Sequence, residues 1–127
     1  MIGYFDGASR GNPGEAGAGA LLLDEGENTI WETARYLGKK TNNEAEYNAA
    51  ILLLTAAKER GVKELKVYGD SKLVVCQLSK QWKINLPHLR ELAKRAWEIS
   101  EGMTVRYEWV PRAKNKRADE LSNEAID

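Results

Sequence analysis

Apolar and polar positions alternate along this chain in two rhythms that fall in successive blocks. Residues 2–5 predict a short strand. It is closed by Asp6-Gly7-Ala8-Ser9-Arg10-Gly11-Asn12-Pro13-Gly14, where three glycines and a proline in eight residues predict a loop whose bare backbone a ligand can approach. Residues 16–23, small and apolar, predict a buried strand. Gly26-Glu27-Asn28 marks a turn, and residues 29–37 predict another long strand, so the first three segments form an antiparallel meander.

The rhythm then becomes helical. Thr41-Asn42-Asn43 signals a helix start, because Asn side chains accept hydrogen bonds from the free amides of a first turn. The helix predicted over residues 44–60 carries Ala49-Ala50-Ile51-Leu52-Leu53-Leu54, apolar nearly all the way round, which requires burial on more than one side. Gly61 ends it. Residues 64–68 read as a strand, Gly69-Asp70-Ser71 as a strand-to-helix corner and residues 72–80 as a helix. Pro87 opens a helix to residue 100, with Leu89, Leu92, Ala93, Ala96 and Trp97 at helical spacing. Residues 104–110 form a strand that Pro111 stops, and Asn115 starts a last helix through residue 125. The order is β-β-β-α-β-α-α-β-α, with no repeat, low-complexity tract or linker.

Composition narrows the chemistry. At 127 residues and 14.2 kDa, with 43% hydrophobic and 30% charged residues, the chain is expected to be one domain, 1–127. A single Cys, Cys76, excludes an intramolecular disulfide and a Cys-rich metal site, and the sole His, His88, excludes His-rich zinc sites. A catalytic metal would therefore have oxygen ligands, which points to Mg²⁺ or Mn²⁺. No stretch approaches the roughly 20 apolar residues of a membrane span, and the N-terminus has no basic leader before an apolar run. The expectation is a cytoplasmic monomer without a membrane partner.

Charge changes the picture again. The 19 basic and 19 acidic residues cancel, which at first argues against a nucleic-acid partner. The distribution reverses that. Lys72, Lys80, Lys83, Arg90, Lys94 and Arg95 face only Glu91 across residues 71–95, and residues 112–117 add four more basic residues and no acid. A neutral total thus hides a basic face, although a charge run also suits a solvated helix surface.

The acids sit at element ends. Asp6 lies at the exit of the first strand, Glu46 in the first turn of the buried helix, Asp70 at the exit of the fourth strand and Asp119 in the first turn of the last helix. Strands joined by helical crossovers run parallel and gather functional groups beyond their carboxyl ends. If the first and fourth strands are neighbours, Asp6 and Asp70 stand side by side, and like charges that close require a proton or a cation between them. Each acid alone has a plainer reading. Glu46 would complete a capping box with Asn43, Asp119 would favour a helix dipole, and Asp70 and Asp6 would be turn residues. Their joint order carries the argument.

Four motifs together resemble the type 1 ribonuclease H family, metal-dependent endonucleases that cut the RNA strand of RNA–DNA hybrids. They are Tyr4-Phe5-Asp6-Gly7-Ala8 with Gly11-Asn12-Pro13-Gly14, Thr41-Asn42-Asn43-Glu44-Ala45-Glu46, Tyr68-Gly69-Asp70-Ser71, and Asn115-Lys116-Arg117-Ala118-Asp119-Glu120-Leu121. The resemblance implies an α/β ribonuclease H-like fold, a five-stranded mixed sheet of order 3-2-1-4-5 flanked by helices. It also implies Asp6, Glu46, Asp70 and Asp119 as the catalytic, metal-binding carboxylates, holding two Mg²⁺ ions with Mn²⁺ as a substitute. Such ions lie about 4 Å apart and serve the attacking water and the leaving 3′-oxygen. Asp6 would bridge both.

For the substrate, the resemblance implies contacts from Gly7, Asn42 and Asn43 to the ribose 2′-hydroxyl, the group that separates RNA from DNA. Asn12 and Thr41 would hold a DNA phosphate, and Trp82 would offer a surface to the DNA backbone unless it is a packing residue. Ser71, Lys72, Arg112 and Asn115 complete the expected substrate contacts. Trp97 and Cys76 are expected in the core.

Three features depart from many members. The loop after the last strand carries Arg112 where they have a His, as in an archaeal-like branch, and an Arg cannot release a proton near neutral pH. His88 lies elsewhere and is read as a surface or capping residue. Residues 79–89 are too few for the basic handle that some members insert, so weaker hybrid binding is expected, falling further with salt. No separate hybrid-binding domain is expected. The resulting reading is an endoribonuclease of RNA–DNA hybrids that leaves 5′-phosphate and 3′-hydroxyl ends. Its alternatives are an enzyme that also cleaves double-stranded RNA, a non-catalytic hybrid-binding module, and a domain cut from a reverse transcriptase.

Overall fold

In a computed structural model describing residues 1–127, the small apolar segments form the middle of one sheet and the helices close over its two faces. Strands β1 (Ile2–Gly11), β2 (Gly14–Leu23) and β3 (Thr29–Lys40) are followed by helix α1 (Asn42–Glu59) and strand β4 (Glu64–Gly69). Helices α2 (Lys72–Leu78) and α3 (Pro87–Ile99), strand β5 (Thr104–Trp109), a single 3₁₀ turn (Arg112–Lys114) and helix α4 (Lys116–Glu124) complete the chain. The strand order is β3-β2-β1-β4-β5, as expected. The β1–β2 and β2–β3 pairs are antiparallel, and the β1–β4 and β4–β5 pairs are parallel.

Residue parity along β1 and β2 sorts the packing. Phe5, Ala18, Ala20 and Leu22 join the main core with Leu53, Leu54 and Ala57 of α1 and Leu89, Ala93 and Ala96 of α3. The alternate positions Tyr4, Leu21 and Leu23 pack against Ala118 and Leu121 of α4 on the opposite face. This explains why α1 is apolar nearly all round: it lies between the sheet and α3. Each fully buried Leu there contributes roughly 1.5–3 kcal/mol. Tyr47 on α1 ties the layer to α2 by donating its hydroxyl proton to Gln77 Oε1 at 2.7 Å. No helix is long and apolar enough to cross a membrane.

The first strand corrects the sequence reading. The predicted loop at residues 6–14 is mostly strand: β1 runs on to Gly11 and pairs with β2 from Asp6↔Gly19 to Gly11↔Gly14. The Ser9 hydroxyl bonds the carbonyls of Gly11 and Lys40, fastening the hairpin to the end of β3. Two of the glycines in this region serve approach rather than turning. A Cβ on Gly7 would lie 2.3 Å from the carbonyl carbon of Ala45 on α1, and one on Gly19 would lie 2.3 Å from the Ala118 oxygen on α4. The two helices that carry Glu46 and Asp119 therefore come within backbone distance of β1 and β2.

Candidate active site

Strand β1 stays beside β4 only as far as the pair Phe5↔Gly69. The next residues along each strand are Asp6 and Asp70, so the place where the parallel ladder ends sets two carboxylates together. The third comes from α1. Its N-cap is Thr41, whose Oγ1 accepts from the Glu44 amide at 3.2 Å while Glu44 Oε1 accepts from the Thr41 amide at 2.9 Å. That capping box uses Glu44, so the plainer reading of Glu46 as a cap partner of Asn43 does not hold. Glu46 instead turns to β1, where Gly7 N–H donates both to Glu46 Oε1 and to Asp6 Oδ1, each at 3.0 Å. Oxygens of Asp6, Glu46 and Asp70 all lie within 4.8 Å of one another.

The fourth acid enters from α4. Asn115, which starts that helix, donates from Nδ2 to the Phe5 carbonyl at 2.9 Å and to Asp70 Oδ2 at 3.3 Å. One amide thus links β1, the end of β4 and the helix bearing Asp119. Asp119 lines the same cleft of about 350 Å³. Its Oδ1 accepts from Asn123 Nδ2 at 3.3 Å and from an Arg112 guanidinium nitrogen at 3.4 Å.

Electrostatic strain in the cluster is severe. Asp6 is 4% exposed and Glu46 3%. Burial, then the neighbouring charges of Asp70 and Asp119, push the Asp6 carboxyl up to about 8. Burial, followed by the charges of Asp6 and Asp70, holds Glu46 well above the usual carboxylate range. A divalent cation among these oxygens would convert the repulsion into attraction. The donor set is all carboxylate oxygen, which suits Mg²⁺ or Mn²⁺ and fits neither a thiolate nor an imidazole metal.

The expected substrate contacts separate into three groups. Asn42, Lys72, Trp82 and Arg112 are exposed and Asn43 is partly exposed. Trp82 is 45% exposed, which leaves nearly half of it open to solvent. Asn12, also exposed, accepts from the Asn42 amide through Oδ1 at 3.1 Å, which leaves its own amide protons free. Thr41 and Ser71 are partly buried helix caps, Ser71 Oγ accepting from the Val74 amide at 3.3 Å. Gly7 and Asn115 are the two expected contacts that the structure buries. Gly7 is buried with its N–H given to two carboxylates, and Asn115 is 1% exposed with its amide given to Phe5 and Asp70. Each thereby orients the acids; Asn115 does so from beneath the site, whereas Gly7 also lines the cleft.

Arg10 and Asn123 are among the lining residues that the sequence does not single out. Each lies four residues after an acid, Arg10 on the same strand face as Asp6 and Asn123 one helical turn after Asp119, so periodicity was the signal for both. Arg10 is paired with Asp127 at 2.5 Å. Trp97 and Cys76 lie where expected, partly buried against the core and buried, respectively, and His88 is exposed at the start of α3.

Known proteins of similar sequence and shape are found among the ribonucleases H. The family described as Reverse transcriptase-like matches residues 4–125. The chain is 45% identical to Ribonuclease HI of Halobacterium salinarum, covering 98% of this chain and 63% of that protein. It is 34% identical to Ribonuclease H of Francisella tularensis subsp. novicida, covering 99% and 90%. It spans only 34% of the Mycobacterium tuberculosis bifunctional protein to which it is 45% identical. The crystal structure of the Halobacterium enzyme superposes with a TM-score of 0.95, at 45% identity over 99% of this chain and 96% of that one. LC11-RNase H1, solved in complex with an RNA/DNA hybrid, superposes with a TM-score of 0.94 at 41% identity, covering 99% and 96%.

Proposed function

The chain belongs to the type 1 ribonuclease H family, and on that premise we propose that it is a divalent-metal-dependent endonuclease that hydrolyses the RNA strand of RNA–DNA hybrids. The observation that carries this reading is the meeting of Asp6, Glu46 and Asp70, from three different elements, within 4.8 Å, with Asp119 on the same wall. A structural role does not explain so costly a cluster, since buried like charges destabilise a fold. The hybrid bound to LC11-RNase H1 supports the substrate class.

Asp6, Glu46, Asp70 and Asp119 would hold two Mg²⁺ ions, with Mn²⁺ as a substitute. When bound, such a pair supplies an activated water and neutralises charge on both oxygens of an in-line displacement. Gly7 and Asn115 fix the rotamers of the acids through the hydrogen bonds described above. Arg112, beside Asp119, would neutralise a phosphate oxygen as a fixed positive charge. The free amide protons of Asn12, with Asn42 and Thr41 at the head of α1, would receive a phosphate of the DNA strand at a helix N-terminus. Lys72 and Trp82 would extend the grip along that strand. The products are 5′-phosphate and 3′-hydroxyl ends, released by a cytoplasmic monomer acting on replication primers and R-loops.

The test is cleavage of an end-labelled hybrid with Mg²⁺, beside RNA duplex and DNA duplex. Cutting of the hybrid's RNA strand, lowered about a thousandfold in Asp70→Asn, is the expected result. Equal binding by both forms with no cleavage by either identifies a hybrid-binding module instead, and comparable cutting of RNA duplex removes strict hybrid specificity.

A further inference from the structure

Trp109 ends β5 beside the active site, yet it is 46% exposed. It is the partner of Gly69 in the parallel ladder, which places it level with the residue before Asp70. Backbone pairing beyond that point is already spent, since the Gly69 carbonyl takes the Val110 amide at 3.0 Å. The Asp70 carbonyl accepts from Trp109 Nε1 at 3.1 Å. The indole ring of the same residue lies under Lys72, with Nζ 5.9 Å from the ring centroid. Val105 and Tyr107, which share Trp109's face of β5, pack against the core; only Trp109 leaves nearly half its surface in water.

We propose that Trp109 is a positioning residue with two outputs: its indole N–H fixes the peptide of the metal-binding Asp70, and its ring sets the Lys72 ammonium in the substrate groove. This rests on the nuclease reading for the roles of Asp70 and Lys72. The physical basis is direct. Asp70 is the first residue past the ladder, so nothing in the sheet holds its carbonyl, and a freely turning peptide would swing the carboxylate away from Asp6 and Glu46. An indole N–H is a donor with no competing acceptor role, and a partly exposed ring face attracts an ammonium by about 0.5–1 kcal/mol. Groups that orient a ligand without touching the metal typically change its affinity by about ten- to a hundredfold.

The experiment separates the outputs without relying on turnover. In Trp109→Phe, which keeps a ring and loses the donor, Mn²⁺ binding measured by the electron paramagnetic resonance of the free ion should weaken about tenfold. Hybrid binding without divalent ions should stay near the wild-type value. Lys72→Met should weaken metal-free hybrid binding about threefold in the wild type and by a smaller factor in Trp109→Leu, while leaving Mn²⁺ affinity unchanged. Wild-type Mn²⁺ affinity in a folded Trp109→Phe overturns the first output. Equal factors for Lys72→Met in both backgrounds overturn the second. The Lys72→Met arm in the wild type keeps the test open should Trp109→Leu unfold, because a change in Mn²⁺ affinity there contradicts the proposed division of roles. A wild type that binds Mn²⁺ but cuts no hybrid refutes the nuclease reading and leaves the Trp109 comparison decisive. A wild type that binds no Mn²⁺ refutes both.

Discussion

Asp6 bears the sharpest conflict in the molecule, a carboxylate buried among carboxylates. Its folded pKa is raised, to about 8, so the sign of its effect on stability is the reverse of the usual acid. Below the ordinary carboxylate range both folded and unfolded chains are protonated and there is no penalty. As pH rises toward 8 the unfolded chain gives up its proton while the folded one keeps it, and stability falls. Above 8 the loss is complete. Metal-free protein should therefore melt at progressively lower temperature from pH 5 to pH 8, and Mn²⁺ should raise the melting temperature more at pH 8 than at pH 5. In Asp6→Asn the metal-free protein at pH 8 should gain roughly 1–3 kcal/mol and lose most of its response to Mn²⁺. Part of the pH dependence should survive, since Glu46 is shifted in the same direction. Thermal unfolding across this pH range, with and without the ion, checks each statement; a metal-free stability that rises toward pH 8 would contradict them. At this scale the acids were legible in the sequence because element ends are marked by Gly, Asn and Pro. The helpers were not. Nothing local distinguishes an Asn115 that faces water from one that reaches back 110 residues to Phe5 and 45 to Asp70.

Among the elements, β1 shows where sequence patterning stops. Its glycines look like turn formers, and a loop was the direct reading of residues 6–14. Pairing with β2 overrides that local preference, and the missing side chains admit α1 at Gly7 and α4 at Gly19. A glycine's role as spacer depends on a partner distant in sequence, so spacing along the chain does not reveal it. Gly19→Ala would set a Cβ 2.3 Å from the Ala118 carbonyl oxygen, with Ser122 N and Leu121 Cβ also under 3 Å. The backbone of α4 has to move. Urea unfolding should show a loss of about 1–3 kcal/mol, and Mn²⁺ affinity should fall with it because Asp119 rides on that helix. Gly38→Ala is the control: at φ +76° with nothing within 4 Å, it should cost about 1 kcal/mol and leave Mn²⁺ affinity intact. Equal effects of both substitutions on metal binding would separate α4 placement from the site. The helices themselves followed from periodicity to within a few residues, and the order β3-β2-β1-β4-β5 came from the family resemblance and was met by the structure.

Over the whole molecule, a neutral chain keeps its opposite charges apart. The ion pairs involve Arg10, Lys66, Arg112 and Arg117, and none uses Lys72, Lys80, Lys83, Arg90, Lys94 or Arg95. Those six stay exposed on α2, on α3 and in the segment between them, while the acids collect at the end of the central strands. The division was visible as blocks of charge along the sequence, because basic residues concentrate in two runs, 71–95 and 112–117. Everything functional then converges on whether the acidic cup takes metal. The direct measurement is anomalous diffraction at the manganese edge from crystals of the wild-type chain soaked in Mn²⁺, alone and with a non-cleavable hybrid. The expected result is an anomalous peak enclosed by Asp6, Glu46 and Asp70, joined by a second peak toward Asp119 when the hybrid is bound. An empty cup at saturating Mn²⁺, with the hybrid in place, would contradict the metal-dependent nuclease.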